Sequence, residues 1–160
     1  MRRVALHLVA LLLVVTAGCQ SFEVEKALVM TDVHTGWYDA GVIEDGKNKL
    51  VPSISFRFRD QADVPVSGVQ VNAIFRRVNE TEGWGEHFVK AIGQRALEPG
   101  ATSALIVLRS NLGYTGTEPR HVMLKHRDFI DAKVELFAKA GRRNWVKIGE
   151  YAIARQLLTQ

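Results

Sequence analysis

A chain of 160 residues, 47% of them hydrophobic and 24% charged, has the size and composition of one folded domain, which excludes disorder as the default. Its formal net charge of +4 is small, and its one cysteine excludes an internal disulfide.

The first segment reads as an export signal. Arg2 and Arg3 form a charged start, residues 4–15 an apolar run, and Thr16, Ala17 and Gly18 a small-residue stretch that ends at Cys19. About a dozen apolar residues fall short of the ~20 that span a bilayer. Loss of residues 1–18 removes two cations and leaves 19 basic against 17 acidic residues, a net charge of +2. So weak an excess argues against nucleic acid as a partner. The run TAGC resembles a bacterial lipobox. That resemblance implies lipidation at Cys19 and a membrane partner reached through the anchor. With Gln20 rather than Asp at the next position, it implies the outer membrane, facing the periplasm. The expected organisation is a lipoprotein signal peptide over residues 1–18, a lipidated cysteine and tether over 19–26, and one β domain over 27–160.

Residues 27–34 (ALVMTDVH) suit a first strand. A Gly-punctuated loop is expected next, carrying Trp37 and Tyr38 and ending at the Asp45-Gly46 turn. Ile54, Phe56 and Phe58 alternate with Ser53, Ser55, Arg57 and Arg59. After a polar break, Val69, Val71, Ala73 and Phe75 alternate with Gln70, Asn72 and Arg76. A period of two places one set of side chains on each face, as in half-buried strands. Residues 81–94 read as an irregular extension or edge strand around Trp84 and Phe88. Residues 101–109 (ATSALIVLR) lack clean alternation, which suits a strand buried on both faces. A Gly-rich loop and one short helical crossover within residues 121–129 precede a strand over 131–140, where Ala132, Val134, Leu136 and Ala138 alternate with Lys133, Glu135, Phe137 and Lys139. Gly141 to Asn144 turn the chain into a last strand over 145–157.

About seven short strands with one long connection predict an all-β, immunoglobulin-like antiparallel sandwich, with a small closed barrel as the alternative. The order SISFRFRDQADVPVSGVQVNAIF followed by LEPGATSALIV also resembles the FxLYD-type immunoglobulin-like domains of bacterial envelope proteins. Val69 and Val71 sit at the paired valines, and Leu97, Pro99 and Gly100 at the later turn. The resemblance covers the middle third of the chain and implies a binding or spacer module.

No catalytic set is expected. The serines lie outside any Gly-x-Ser-x-Gly elbow, phosphate loops are missing, and Glu80, Glu82 and Glu86 lack a pairing that a glycan hydrolase needs. Asp39, Glu44 and Asp45 do not match a calcium loop. The expected function is a non-catalytic binding or accessory module of an envelope complex, with no cofactor and another envelope protein as partner. Loop aromatics bring large contact area at low entropic cost, so Trp37, Tyr38 and Trp84 are candidate contacts. Arg57 and Arg76 are candidates from a basic stripe on neighbouring strands, while Trp145 is expected in the core. The alternative is a periplasmic copper-binding protein using His121, Met123 and His126, whose imidazole and thioether groups suit that metal.

Overall fold

The computed structural model describes residues 22–158, so Cys19 and the signal segment lie outside the described residues. Eight strands form two four-stranded antiparallel sheets, an all-β sandwich. The first sheet holds β1 (Leu28–Val42), β2 (Asn48–Asp60), β5 (Ile106–Arg109) and β6 (Tyr114–Gly116). The second runs β4 (Gly85–Ile92), β3 (Val69–Arg77), β7 (Ala132–Ala140), β8 (Val146–Ala152). With β5 returning beside β2, and β7 beside β3, the connections follow the Greek-key order of immunoglobulin-like sandwiches. Two single-turn helices, α1 (Val24–Ala27) and α2 (Arg120–Met123), complete the fold.

The alternating faces close on each other as their period dictates. Ile54, Phe56 and Phe58 from β2 meet Val69, Val71, Ala73 and Phe75 from β3 and Val134 and Leu136 from β7, each at most 1% exposed. Full burial of a large aliphatic or aromatic side chain stabilises by about 1.5–3 kcal/mol, so these three strands carry the core.

Four departures from the expected elements have local causes. The first strand extends through Trp37 and Tyr38 to Val42, because two bulges absorb an extra residue each, between Thr31 and His34 and between Asp39 and Val42. Asp32 (φ 51°) and Gly41 (φ 87°) supply the left-handed backbone those bulges need. The strand expected over 101–109 shrinks to β5 and alternates after all: Ile106 and Leu108 are buried, while Val107 and Arg109 are half-buried. Part of the expected Gly-rich loop is β6, lying end to end with β5 along the same edge of β2. Between them Ser110 N–H still donates to Pro52 C=O (2.9 Å), while Pro52 has no N–H to offer; the proline falls where the neighbouring strand is interrupted. The last departure is α1, which folds residues 24–26 into the packed unit instead of leaving them as tether. Val24 and Ala27 are buried against the sandwich and Phe22 packs on it half-buried, so the packed unit includes residues ahead of 27.

Residues 152–158 strap the two sheets together on the open side of β1. Thr35 Oγ1 donates to Ala152 C=O (3.0 Å) and accepts from Ala154 N–H (3.2 Å). Trp37 N–H donates to Gln156 C=O (2.8 Å), and Leu158 N–H to Trp37 C=O (2.9 Å). An otherwise unpaired strand edge is thereby covered.

Candidate functional site

The five residues proposed as contacts are largely engaged within the domain. Trp37 is 0% exposed and sits in a strand, so the loop assignment is corrected and its ring has no surface to offer a partner. It centres an aromatic cluster with Trp84 (centroids 6.2 Å), Tyr114 (5.7 Å) and Phe129 (4.7 Å, edge to face). Trp84 is half-buried, with the Arg77 guanidinium 5.6 Å above its ring. Tyr38 is also in the strand, and the Arg109 guanidinium stacks 3.5 Å over it on the outer face of the first sheet. That stack lies at the register of Val51 and Ser53, 4% and 1% exposed. Arg57 donates to Ser103 C=O (2.9 Å) and faces Asp32 (3.7 Å). Arg76 pairs with Glu135 (2.7 Å).

The basic stripe expected on neighbouring strands does not form, because β2 and β3 belong to different sheets and carry Arg57 and Arg76 apart. Across the outer face of the second sheet, Lys147 bridges Glu135 (2.7 Å) and Glu150 (2.6 Å), and Lys133 reaches Glu150 (3.0 Å). Hydrogen bonds from Lys147 and Arg76 hold the Glu135 carboxyl down to about 2, far below its ordinary 4.5. Asp39 is likewise lowered by the Arg120 guanidinium, which joins α2 to β1.

At the β1–β2 hairpin end lies a cleft of about 360 Å³, with Tyr114, Gly116, Met123, His126, Asp128 and Phe129 in its wall. Of the proposed copper ligands, Met123 and His126 meet here, while His121 is exposed on α2 and outside the lining. The Met123 side chain is buried and packs on Gly116. His126 Nδ1 accepts the Asp128 N–H (3.3 Å), leaving Nε2 as the ring nitrogen for a ligand. Among the described residues, no group of three or more His, Cys, Asp or Glu side chains is placed to hold a metal ion. The carboxylates of Glu80, Glu82 and Glu86 belong to the β3–β4 connection and its exit. Glu80 pairs with Arg77 (3.0 Å), and the Glu86 N–H is held by Asn111 Oδ1 (3.1 Å).

An unanticipated feature lies at the other end of the second sheet. Trp145, expected in the core, is 39% exposed and meets Phe88, itself 50% exposed, edge on at 6.2 Å. The Lys139 ammonium sits 4.8 Å from the Trp145 ring. Parity carried this signal: Trp145 shares its phase with Lys147, and Phe88 with Glu86 and Lys90, so both aromatics belong to the polar face.

No family model matches the chain, and no curated protein does. Seven solved chains match. One, a structural genomics target named SoR45 solved by X-ray diffraction, is 12% identical, with a TM-score of 0.43 over 82% of this chain and 89% of that one.

Proposed function

We propose that this protein is a lipid-anchored, periplasm-facing module of the outer membrane that serves an envelope complex by binding rather than by catalysis. One observation carries the reading: a charged start, an apolar run and TAGC end at Cys19, and the packed residues of a sandwich follow from Phe22. Anchoring at that distance concentrates the domain beside membrane-bound partners, so a modest intrinsic affinity suffices. The hairpin-end cleft lies at the far end of β2 from residues 24–27. Anchoring at Cys19 would turn that end away from the membrane. A protein partner reached there would meet the half-buried aromatic rim of Tyr114 and the exposed His126.

Photoreactive residues at Thr117 and His126 test this, with Arg57 as a comparison position. A discrete protein adduct from the cleft positions, lost when Cys19→Ser releases the domain, supports the reading. An abundant, membrane-bound protein that yields no adduct above background contradicts it.

Copper binding is the second reading, favoured by the meeting of Met123 and His126 in one cleft wall. Calorimetric titration with Cu(I) and with Cu(II) decides it. Heat that disappears in His126→Ala supports a site there, and a flat trace in both redox states ends it.

A further inference from the structure

We propose that the tether end of the second sheet, built around Trp145, docks onto an anionic lipid surface and fixes how the domain stands on its membrane. This rests on the anchoring at Cys19 proposed above.

Reach is the first argument. Two residues separate Cys19 from Phe22, so three residue steps span at most about 10 Å. From Glu23 onward the chain is packed: Glu23, Val24 and Glu25 share a surface depression with Arg142, Arg143 and Asn144 of the β7–β8 turn. An acylated Cys19 therefore holds that turn near the headgroups. At physiological salt the screening length is about 8 Å, so charges on the turn still feel the surface.

Charge supplies the second argument. On the far half of the sheet the cations are spent on carboxylates, in the network of Arg76, Lys133 and Lys147 with Glu135 and Glu150. On the tether half, Lys90, Lys139, Arg142 and Arg143 take no part in an ion pair within 4.0 Å among the described residues. The acidic groups in that depression are Glu23, which hydrogen-bonds Lys26 and also feels the Arg143 charge, and Glu25, while Asp63 and Glu98 lie in the connections at the same end of the sandwich. Basic side chains beside an anionic bilayer strengthen attachment about fivefold each.

Two exposed rings, Phe88 and Trp145, complete this surface. A tryptophan flanked by long cationic side chains matches the chemistry of a membrane interface, where the ring lies at headgroup depth and the ammonium and guanidinium groups reach phosphates. Phe88 extends the same apolar spot, and Lys139 lies against the Trp145 ring.

Full-length protein, purified lipidated and reconstituted into vesicles, tests this by tryptophan fluorescence. Trp37 is buried and Trp84 half-buried, so Trp145 dominates the quenchable emission. With brominated phosphatidylglycerol vesicles, emission is expected to fall, and the fall to vanish in Trp145→Phe. It should weaken severalfold in an Arg142→Glu, Arg143→Glu double variant, and in phosphatidylcholine vesicles. Circular dichroism confirms that each variant folds. Equal accessibility of Trp145 to aqueous iodide in detergent and in phosphatidylglycerol vesicles would overturn the proposal, as would protection that appears only when an anionic glycan or a protein is added. Intact mass separates the two readings. An unacylated Cys19 removes the anchoring itself, whereas an acylated, vesicle-bound protein with a water-exposed Trp145 removes only the docking.

Discussion

Trp37 and Phe129 meet edge to face with ring centroids 4.7 Å apart, joining the first strand to the crossover that leads into β7. The contact makes Trp37 a structural residue, and its removal is expected to cost about 3–5 kcal/mol, the range for a buried large aromatic replaced by alanine. Trp145→Ala should cost about 1 kcal/mol or less, since much of that ring already faces solvent. Urea denaturation of both variants checks this. Equal midpoints would show that the two rings are wrongly assigned.

Gly113 is a steric requirement of the interrupted β5–β6 edge. A Cβ there would stand 2.0 Å from the Leu50 carbonyl oxygen, a backbone atom that cannot rotate away. Gly113→Ala is expected to destabilise by at least about 1–3 kcal/mol through displacement of β6. At Gly83 the nearest atom to such a Cβ is 3.6 Å away, so Gly83→Ala should shift stability by only about 0.5 kcal/mol. Thermal melts of the two variants give the comparison directly.

Glu135 gives the fold an acid-sensitive component. Its folded carboxyl lies at about 2 and its ordinary value is 4.5, so the folded state favours the ionised form. The stabilisation is fully present above pH 4.5 and is lost as pH falls toward 2. Solvent at the exposed Lys147 screens the interaction, so the measurable part is about 1–2 kcal/mol. Glu135→Gln should therefore flatten the decline in stability between pH 4.5 and 2, as read by denaturant midpoints across that window.

One hydroxyl makes two of the bonds that hold the strap across β1. Thr35→Val keeps the shape and removes both the bond to Ala152 C=O and the one from Ala154 N–H. A loss of about 1–2 kcal/mol is expected. Hydrogen exchange should quicken selectively at the Trp37 and Leu158 amides, which pair across the strap, while the Val71 and Leu136 amides keep their protection. Uniform acceleration would indicate global unfolding instead.

Sequence periodicity carried the core well where strands run unbroken. Val69 to Phe75 and Ala132 to Ala138 point inward on the residues that alternation selects, because no bulge disturbs their ladder. It failed at Trp37 for a physical reason: each bulge in β1 inserts one residue, and Asp32 in a left-handed conformation leaves no pattern in a hydrophobicity reading. Gly36 and Gly41 looked like loop punctuation, yet Gly41 serves a bulge and Gly36 lies buried in the strand, where a Cβ would stand 2.7 Å from Leu158. Trp145 failed differently. Its size suggested burial, but its phase with Lys147 was visible and had the greater weight. The cleft was only half legible, because Met123 and His126 are near in sequence while Tyr114 joins them through the register of β6 on β2.

The measurement that bears most directly on the account is the mass of the mature amino-terminal peptide from membranes of the producing cell. The account predicts a peptide that begins at Cys19 and carries the mass of several acyl chains, removed by the Cys19→Ser change. An unmodified amino terminus at another residue, or a Cys19 that still reacts as a free thiol, would contradict it.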